Sequence, residues 1–304
     1  MKRVVSRPAK YRAIGICSLI TVLVIVGIAS LFNSGAPFLP DPNGVSAAGG
    51  SVPPVSSPTV KGATFRKVPN QVLFALDSAG KPDISGDLKN ISQGDTGDCY
   101  FLAALLTVAA RAPDTIVNMV HDNGNGTYTV SFHGKYDGVP DPVKVTVNGD
   151  LPYRSGKPLE NGIENIGGKN VSWAAIIEKA WAAANRNSYK GIDGTDLTNA
   201  QDHDVHNGLF AITGKVGVDR NPGGPMTGVS FEQVQQDFTN GLVTLGTSNS
   251  RGKLESDHSY ALLGVNSSDR TVVVGDPQGG QSTLTFAAFR STNINQYIAI
   301  PTYP

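Results

Sequence analysis

The sequence has no excess charge of either sign: 25 Lys and Arg balance 25 Asp and Glu over 304 residues. Without a basic footprint there is no electrostatic case for a nucleic-acid partner. Cysteine is scarce as well. Cys17 and Cys99 are the only two, and Cys17 lies inside an apolar run, so no disulfide framework explains the fold. No internal repeat is visible. With 39% hydrophobic residues, 35 Gly and 19 Pro, the composition excludes a collagen-like or wholly disordered chain and fits a compact domain joined to an irregular segment. One thiol, Cys99, is left to account for.

What is present at the N-terminus is a membrane signal. Residues 1–12 hold Lys2, Arg3, Arg7, Lys10 and Arg12 with no acid, and the run from Ala13 to Phe32 carries no charge. A helix of about 20 residues rises roughly 30 Å, the thickness of a bilayer core. The run therefore reads as an uncleaved transmembrane signal anchor over 13–32. The next basic residue is Lys61, so the positive-inside rule keeps the N-terminus in the cytoplasm and sends the rest out. The alternative, a signal cut near Ala29 or Ala48, yields a secreted form of the same domain. Residues 33–64, rich in Pro, Gly and Ser, read as a linker.

The remaining residues alternate between helix and strand signals. From Cys99, Leu102, Leu105, Leu106 and Ala109 recur at helical spacing up to Pro113, and Trp173, Ile176, Ile177, Ala180, Trp181 and Ala184 form a second apolar helix face. Thr127–His133 and Val143–Val147 alternate as strands. After a boundary near Gly191–Gly194, Ser230 and Gln233 resemble a capping box for a short helix that Gly241 stops. Apolar runs follow at Leu242–Thr247, Tyr260–Val265 and Thr271–Val274. The expected fold is α+β, with a helical lobe over 65–192 and a β-rich lobe over 193–304.

Cys99 opens a helix, where unpaired N–H groups and the helix dipole favour a thiolate. A thiolate nucleophile needs a base. Among His121, His133, His203, His206 and His258, only His258 opens an apolar strand shortly before a polar turn, Asp276-Pro277-Gln278-Gly279. Asp276, at the end of the next strand, can fix the second nitrogen of the imidazole. Gln93 offers an amide N–H for an oxyanion. His203 and His206, with Asp202 and Asp204, lack a third firm ligand and do not by themselves make a metal site; no EF-hand loop occurs.

The segment Gln93-Gly94-Asp95-Thr96-Gly97-Asp98-Cys99-Tyr100-Phe101-Leu102-Ala103-Ala104 resembles the glutamine-to-cysteine motif of calpain-type, papain-like cysteine proteases. Val147–Pro152, Trp173–Ala180, Asp257–Tyr260 and Asp276–Gly279 resemble further blocks of that family, in the same order. The resemblance spans roughly residues 65 to 304. It implies the papain-like two-lobe fold, a protein or peptide substrate, and endopeptidase activity. It implies Cys99 as nucleophile, His258 as base and acid, Asp276 as its orienting group, and Gln93 with the Cys99 amide as oxyanion hole. It also makes calcium a candidate activator, although no residue requires a cofactor. This chain departs from the family pattern at Asp276, where asparagine is usual, and at Tyr100 and Gln278, where tryptophan is usual. A carboxylate orients imidazole as an amide does, whereas the missing tryptophans remove an aromatic shield. Two other readings follow from the departures and from the freedom of fold to host different chemistry: a silent papain-fold binding module, or an amide hydrolase or transferase acting on cell-wall peptides.

Overall fold

The computed structural model describes residues 54–134, 143–159, 162–195, 204–222, 224–249 and 252–304. The expected anchor at 13–32, the basic segment before it and most of the expected linker lie outside the described residues. No single described helix is long and apolar enough to cross a membrane.

Along the chain, β1 (Val55–Ser56), β2 (Thr64–Arg66) and β3 (Gln71–Val72) precede α1 (Cys99–Arg111) and α2 (Pro113–Met119). Then come β4 (Val120–Asp122), β5 (Thr127–Phe132), β6 (Val143–Asn148), β7 (Leu151–Arg154), β8 (Lys157–Pro158), β9 (Glu164–Ile166), β10 (Lys169–Val171) and α3 (Trp173–Ala184). The second half runs α4 (Val205–Thr213), β11 (Val218–Asp219), α5 (Phe231–Asn240), β12 (Leu242–Thr247), β13 (Ser259–Asn266), β14 (Thr271–Gly275), β15 (Gln281–Thr285), α6 (Phe286–Ser291) and β16 (Ile294–Ile300). Helix and sheet are thus mixed throughout.

α1 is the central element. Tyr100 to Ala109 are all buried, as expected of a helix apolar on every side. Its lone polar core residue is satisfied internally: the Thr107 hydroxyl donates to the Ala103 carbonyl at 2.9 Å. Pro113 both closes α1 and opens α2, because its fixed φ suits a first helical turn but its ring blocks continuation of the helix behind it. The two axes differ by 115°.

α1 packs against α4 and against one face of a six-stranded antiparallel sheet ordered β11-β16-β12-β13-β14-β15. The pleat sorts this sheet's side chains. Leu242, Ala261, Ile298 and Ile300 join the apolar cluster around α1 and α3, while Val243, Leu245, Tyr260, Leu262 and Ala299 join a second cluster with residues of α5 and α6. β12 is buried along its whole length, which explains why it reads as a continuous apolar run instead of alternating. At the turn into β12, a side chain on Gly241 would stand 1.8 Å from the Ile300 carbonyl oxygen, so glycine is needed there for backbone approach as well as for ending α5.

On the other side of α1, Trp181 stacks on Phe101 with ring centroids 4.9 Å apart and tilts against Phe132 at 5.1 Å. Such pairs add about 0.5–1.5 kcal/mol each beyond burial. The Lys179 ammonium donates to the Asn148 carbonyl, to Asn148 Oδ1 and to the Asp150 carbonyl at 2.5–2.9 Å. α3 thereby holds the β6–β7 turn, joining two of the sequence blocks named above.

The linker reading meets a difference at its end. Val55–Ser56 pairs in parallel with Thr146–Val147 of β6, and the Thr59 amide donates to the Asn187 carbonyl at 2.8 Å. A sheet edge captures backbone amides whatever their side chains, so composition gave no sign of it.

Candidate active site

Cys99 is the first residue of α1. Its amide therefore has no partner within the helix, and the positive end of the helix dipole lies at its sulfur. The loop before it is tied down on two sides. The Gln93 amide donates to the Pro277 carbonyl at 2.6 Å, and the Gly194 amide donates to the Gly97 carbonyl at 2.9 Å. The first bond couples the glutamine directly to the turn that carries Asp276. The Gln93 side-chain Nε2 donates to the Thr96 carbonyl at 2.6 Å. That bond fixes the direction of the side chain in the loop before Cys99.

His258 stands immediately before β13. Its amide donates to the Thr247 hydroxyl at 3.2 Å, and its carbonyl accepts from the Thr247 amide at 2.8 Å. Asp276 follows β14, whose last residue, Gly275, lies opposite Ala261 of β13. That register brings the aspartate across to the histidine. His258 Nε2 and Asp276 Oδ1 are 2.9 Å apart, with the imidazole 6% and the carboxylate 24% exposed. The Gln278 amide donates to the same Oδ1 at 2.8 Å, which fixes the carboxylate's direction. A carboxylate only accepts, so Nε2 carries the proton between them and Nδ1 is left to face Cys99.

Burial disfavours the charged imidazole, yet the hydrogen bond with Asp276, the hydrogen bond and charge of Cys99 and the charge of Asp276 together outweigh it, and the His258 pKa rises from 6.5 to about 9. An imidazolium held through neutral pH is the partner a thiolate requires. A cleft of about 630 Å³ opens over the pair, lined by Gln93, Cys99, Gly194, Thr247, His258 and Gln278, among others.

The structure thus gathers all four residues singled out from sequence: Gln93, Cys99, His258 and Asp276. Of the other histidines, His121 lies on β4 and His206 on α4, while His203 and Asp202 lie outside the described residues. Asp204 caps α4, its carboxylate accepting from the Asn207 amide at 2.9 Å, which gives that acid a structural role. Tyr100 is buried, and its hydroxyl accepts from Trp181 Nε1 at 3.1 Å. Gln278 is exposed.

Two residues escaped the sequence reading. The Thr247 hydroxyl meets the backbone of both Glu255 and His258, at 2.7 and 3.0 Å. Tyr260 sets its ring edge-on to the imidazole, centroids 4.9 Å apart. The signal for Tyr260 was available: residues two apart on a strand share a face.

Among the described residues, no group of three or more His, Cys, Asp or Glu is placed to hold a metal ion. Asp87 is buried, and its carboxylate accepts from Trp173 Nε1 at 3.1 Å. Burial, followed by its contact with Glu164, raises its pKa to about 7.

Residues 82–275 match the family model described as calpain family cysteine protease, more than half of the chain. Asp276 lies one residue past the matched range. The human calpain-1 catalytic subunit is 33% identical over 125 residues, covering 40% of this chain and 16% of that protein. The calpain-type cysteine protease DEK1 of Arabidopsis thaliana is 31% identical over 132 residues, covering 41% of this chain and 6% of that protein. A rice relative, the calpain-type cysteine protease ADL1, is 31% identical over 134 residues. The alignments therefore span only a small part of these relatives.

Proposed function

The chain belongs to the calpain family of cysteine proteases, and we propose that it hydrolyses protein or peptide substrates with Cys99, His258 and Asp276 as a catalytic triad. The observation that carries this reading is the 2.9 Å contact of His258 Nε2 with Asp276 Oδ1, which turns the other ring nitrogen toward the thiol at the start of α1. The Cys99 thiolate attacks the scissile carbonyl carbon, forming an S–C bond while the carbonyl oxygen takes the displaced electron pair. Gln93 Nε2–H and the Cys99 amide receive that oxyanion. Imidazolium then gives its proton to the departing amine as the C–N bond breaks. In the second half, neutral imidazole takes a proton from water, whose oxygen attacks the thioester and releases the acid product and the thiolate.

The papain-like division into a helical lobe over 65–192 and a β-rich lobe over 193–304 is part of the same proposal. Its support is the pair of apolar clusters, one centred on α1 and α3, the other between the large sheet and α5 and α6; α4 packs on α1 although it follows residue 193. The anchor at 13–32, with the catalytic part outside the cytoplasm, rests on the charge-free run and the basic residues before it. Calcium activation rests on the family resemblance alone.

Replacement of Cys99 by alanine tests the reading. It removes the nucleophile and a small volume at a helix start, so the variant should fold and lose peptide hydrolysis. Residual turnover above about a thousandth of wild type would overturn the assignment, because nucleophile loss in comparable triads costs more. Running the assay with calcium and with a chelator reads the activator separately.

A further inference from the structure

His258 is approached by an aromatic ring that the triad does not require. Tyr260 is 2% exposed and lies in β13 opposite Leu245 of β12, two residues beyond the histidine. Its ring stands at 86° to the imidazole with centroids 4.9 Å apart, the edge-to-face arrangement that the quadrupoles of two such rings favour. At its far end the phenol oxygen accepts from the Glu255 amide at 2.7 Å. The hydroxyl therefore grips the chain three residues before His258 while the ring touches His258 itself.

That segment needs holding. Asp257 has φ of 54°, a left-handed conformation that is strained for a residue with a side chain and is held by its neighbours. The Thr247 hydroxyl closes the same loop from the other side, against the Glu255 and His258 backbone. Position 278, where the resembled family usually has tryptophan, is an exposed glutamine. Loss of the ring would leave the imidazole free to rotate about its χ angles, away from Asp276 Oδ1 and from Cys99.

We propose that Tyr260 is a positioning residue for the base: its ring fixes the imidazole plane so that Nε2 meets Asp276 and Nδ1 meets Cys99, while its hydroxyl secures the strained turn at Asp257. This rests on the triad proposed above. It divides the tyrosine into two separable parts, a ring that governs catalysis and a hydroxyl that serves the loop.

The test compares the full-length chain with Tyr260→Phe and Tyr260→Leu. Tyr260→Phe keeps the ring and should retain kcat within about threefold, with an unchanged pH profile. Tyr260→Leu keeps bulk but not the ring; kcat should fall more than tenfold with KM within about twofold, and the upper pH limit should move below that of wild type. A folded Tyr260→Leu with wild-type kcat and pH limit overturns the proposal, as does a Tyr260→Phe as impaired as Tyr260→Leu. The contact is also read without a variant, from nuclear Overhauser effects between the His258 and Tyr260 ring protons in the wild type. Their absence overturns the proposal even if the leucine variant does not fold. Failure of the triad itself is distinguishable: wild type would then neither hydrolyse peptide nor react faster with iodoacetamide at Cys99 than a simple thiol does.

Discussion

His258 and Asp276 are joined at 2.9 Å through Nε2 and Oδ1, and that same oxygen accepts the Gln278 amide at 2.8 Å. The carboxylate is therefore aimed by its own turn before it meets the imidazole. An asparagine oxygen could accept both bonds but would add no negative charge. Asp276→Asn should keep activity within about tenfold and lower the upper pH limit, while Asp276→Ala should lose clearly more. Equal activity of the two variants with unmoved pH profiles would reduce Asp276 to a turn residue.

Gln93 gives a second prediction. Its side-chain amide donates to the Thr96 carbonyl, so the side chain is held before substrate arrives. Gln93→Ala should lower kcat by about 10²–10³ with little change in KM, the effect of removing one oxyanion donor. Gln93→Glu keeps the shape but loses both donors, and should be as impaired. A kcat within twofold of wild type in both variants would remove Gln93 from the chemistry.

Asp87 allows a stability prediction whose sign follows from its raised pKa. Burial first, then Glu164, lifts it from 3.8 to about 7, so the folded state binds this proton more tightly than the unfolded one. That contribution is fully present below pH 3.8 and is lost as pH rises through 7. Asp87→Asn keeps an acceptor for Trp173 Nε1 and carries no charge. Its Tm should exceed that of wild type at pH 8 by more than it does at pH 5; the opposite ordering would mean that the ionised carboxylate is favoured by its surroundings.

The parts of this molecule legible in sequence were those with a repeating side-chain pattern. Apolar spacing marks α1 and α3, the Ser230 cap marks α5, and continuous apolar runs mark β12, β13 and β14. The order of β13 and β14 also suffices to bring Asp276 toward His258, since neighbouring antiparallel strands place one start beside the other's end. Strands of two to four residues, such as β2, β3 and β7, are too short to show a period. The Val55–Ser56 pairing and the bond from Gln93 to Pro277 use only backbone atoms and leave no trace in residue type. α4 had signals, an Asp204 cap and Gly214 in a left-handed C-cap, that the search for apolar faces passed over.

Topology supplies a fourth prediction. A reporter active only outside the cytoplasm, fused after residue 304, should be active, and added protease should release a soluble fragment. Because Val55–Ser56 and Thr59 are docked on the catalytic domain, cleavage should fall at 33–53 and spare 55–60. A reporter active only in the cytoplasm contradicts the orientation.

The pairing of Cys99 with His258 is tested most directly by the rate of Cys99 alkylation with iodoacetamide, measured against pH in wild type and in His258→Ala. With an imidazolium that persists to about pH 9, wild type should react rapidly across neutral pH, and the profile should change near that value. In His258→Ala the thiol loses its cationic partner, so the rate near pH 7 should fall and recover only as pH rises toward that of an ordinary thiol. Identical profiles in the two proteins would contradict the thiolate–imidazolium pair.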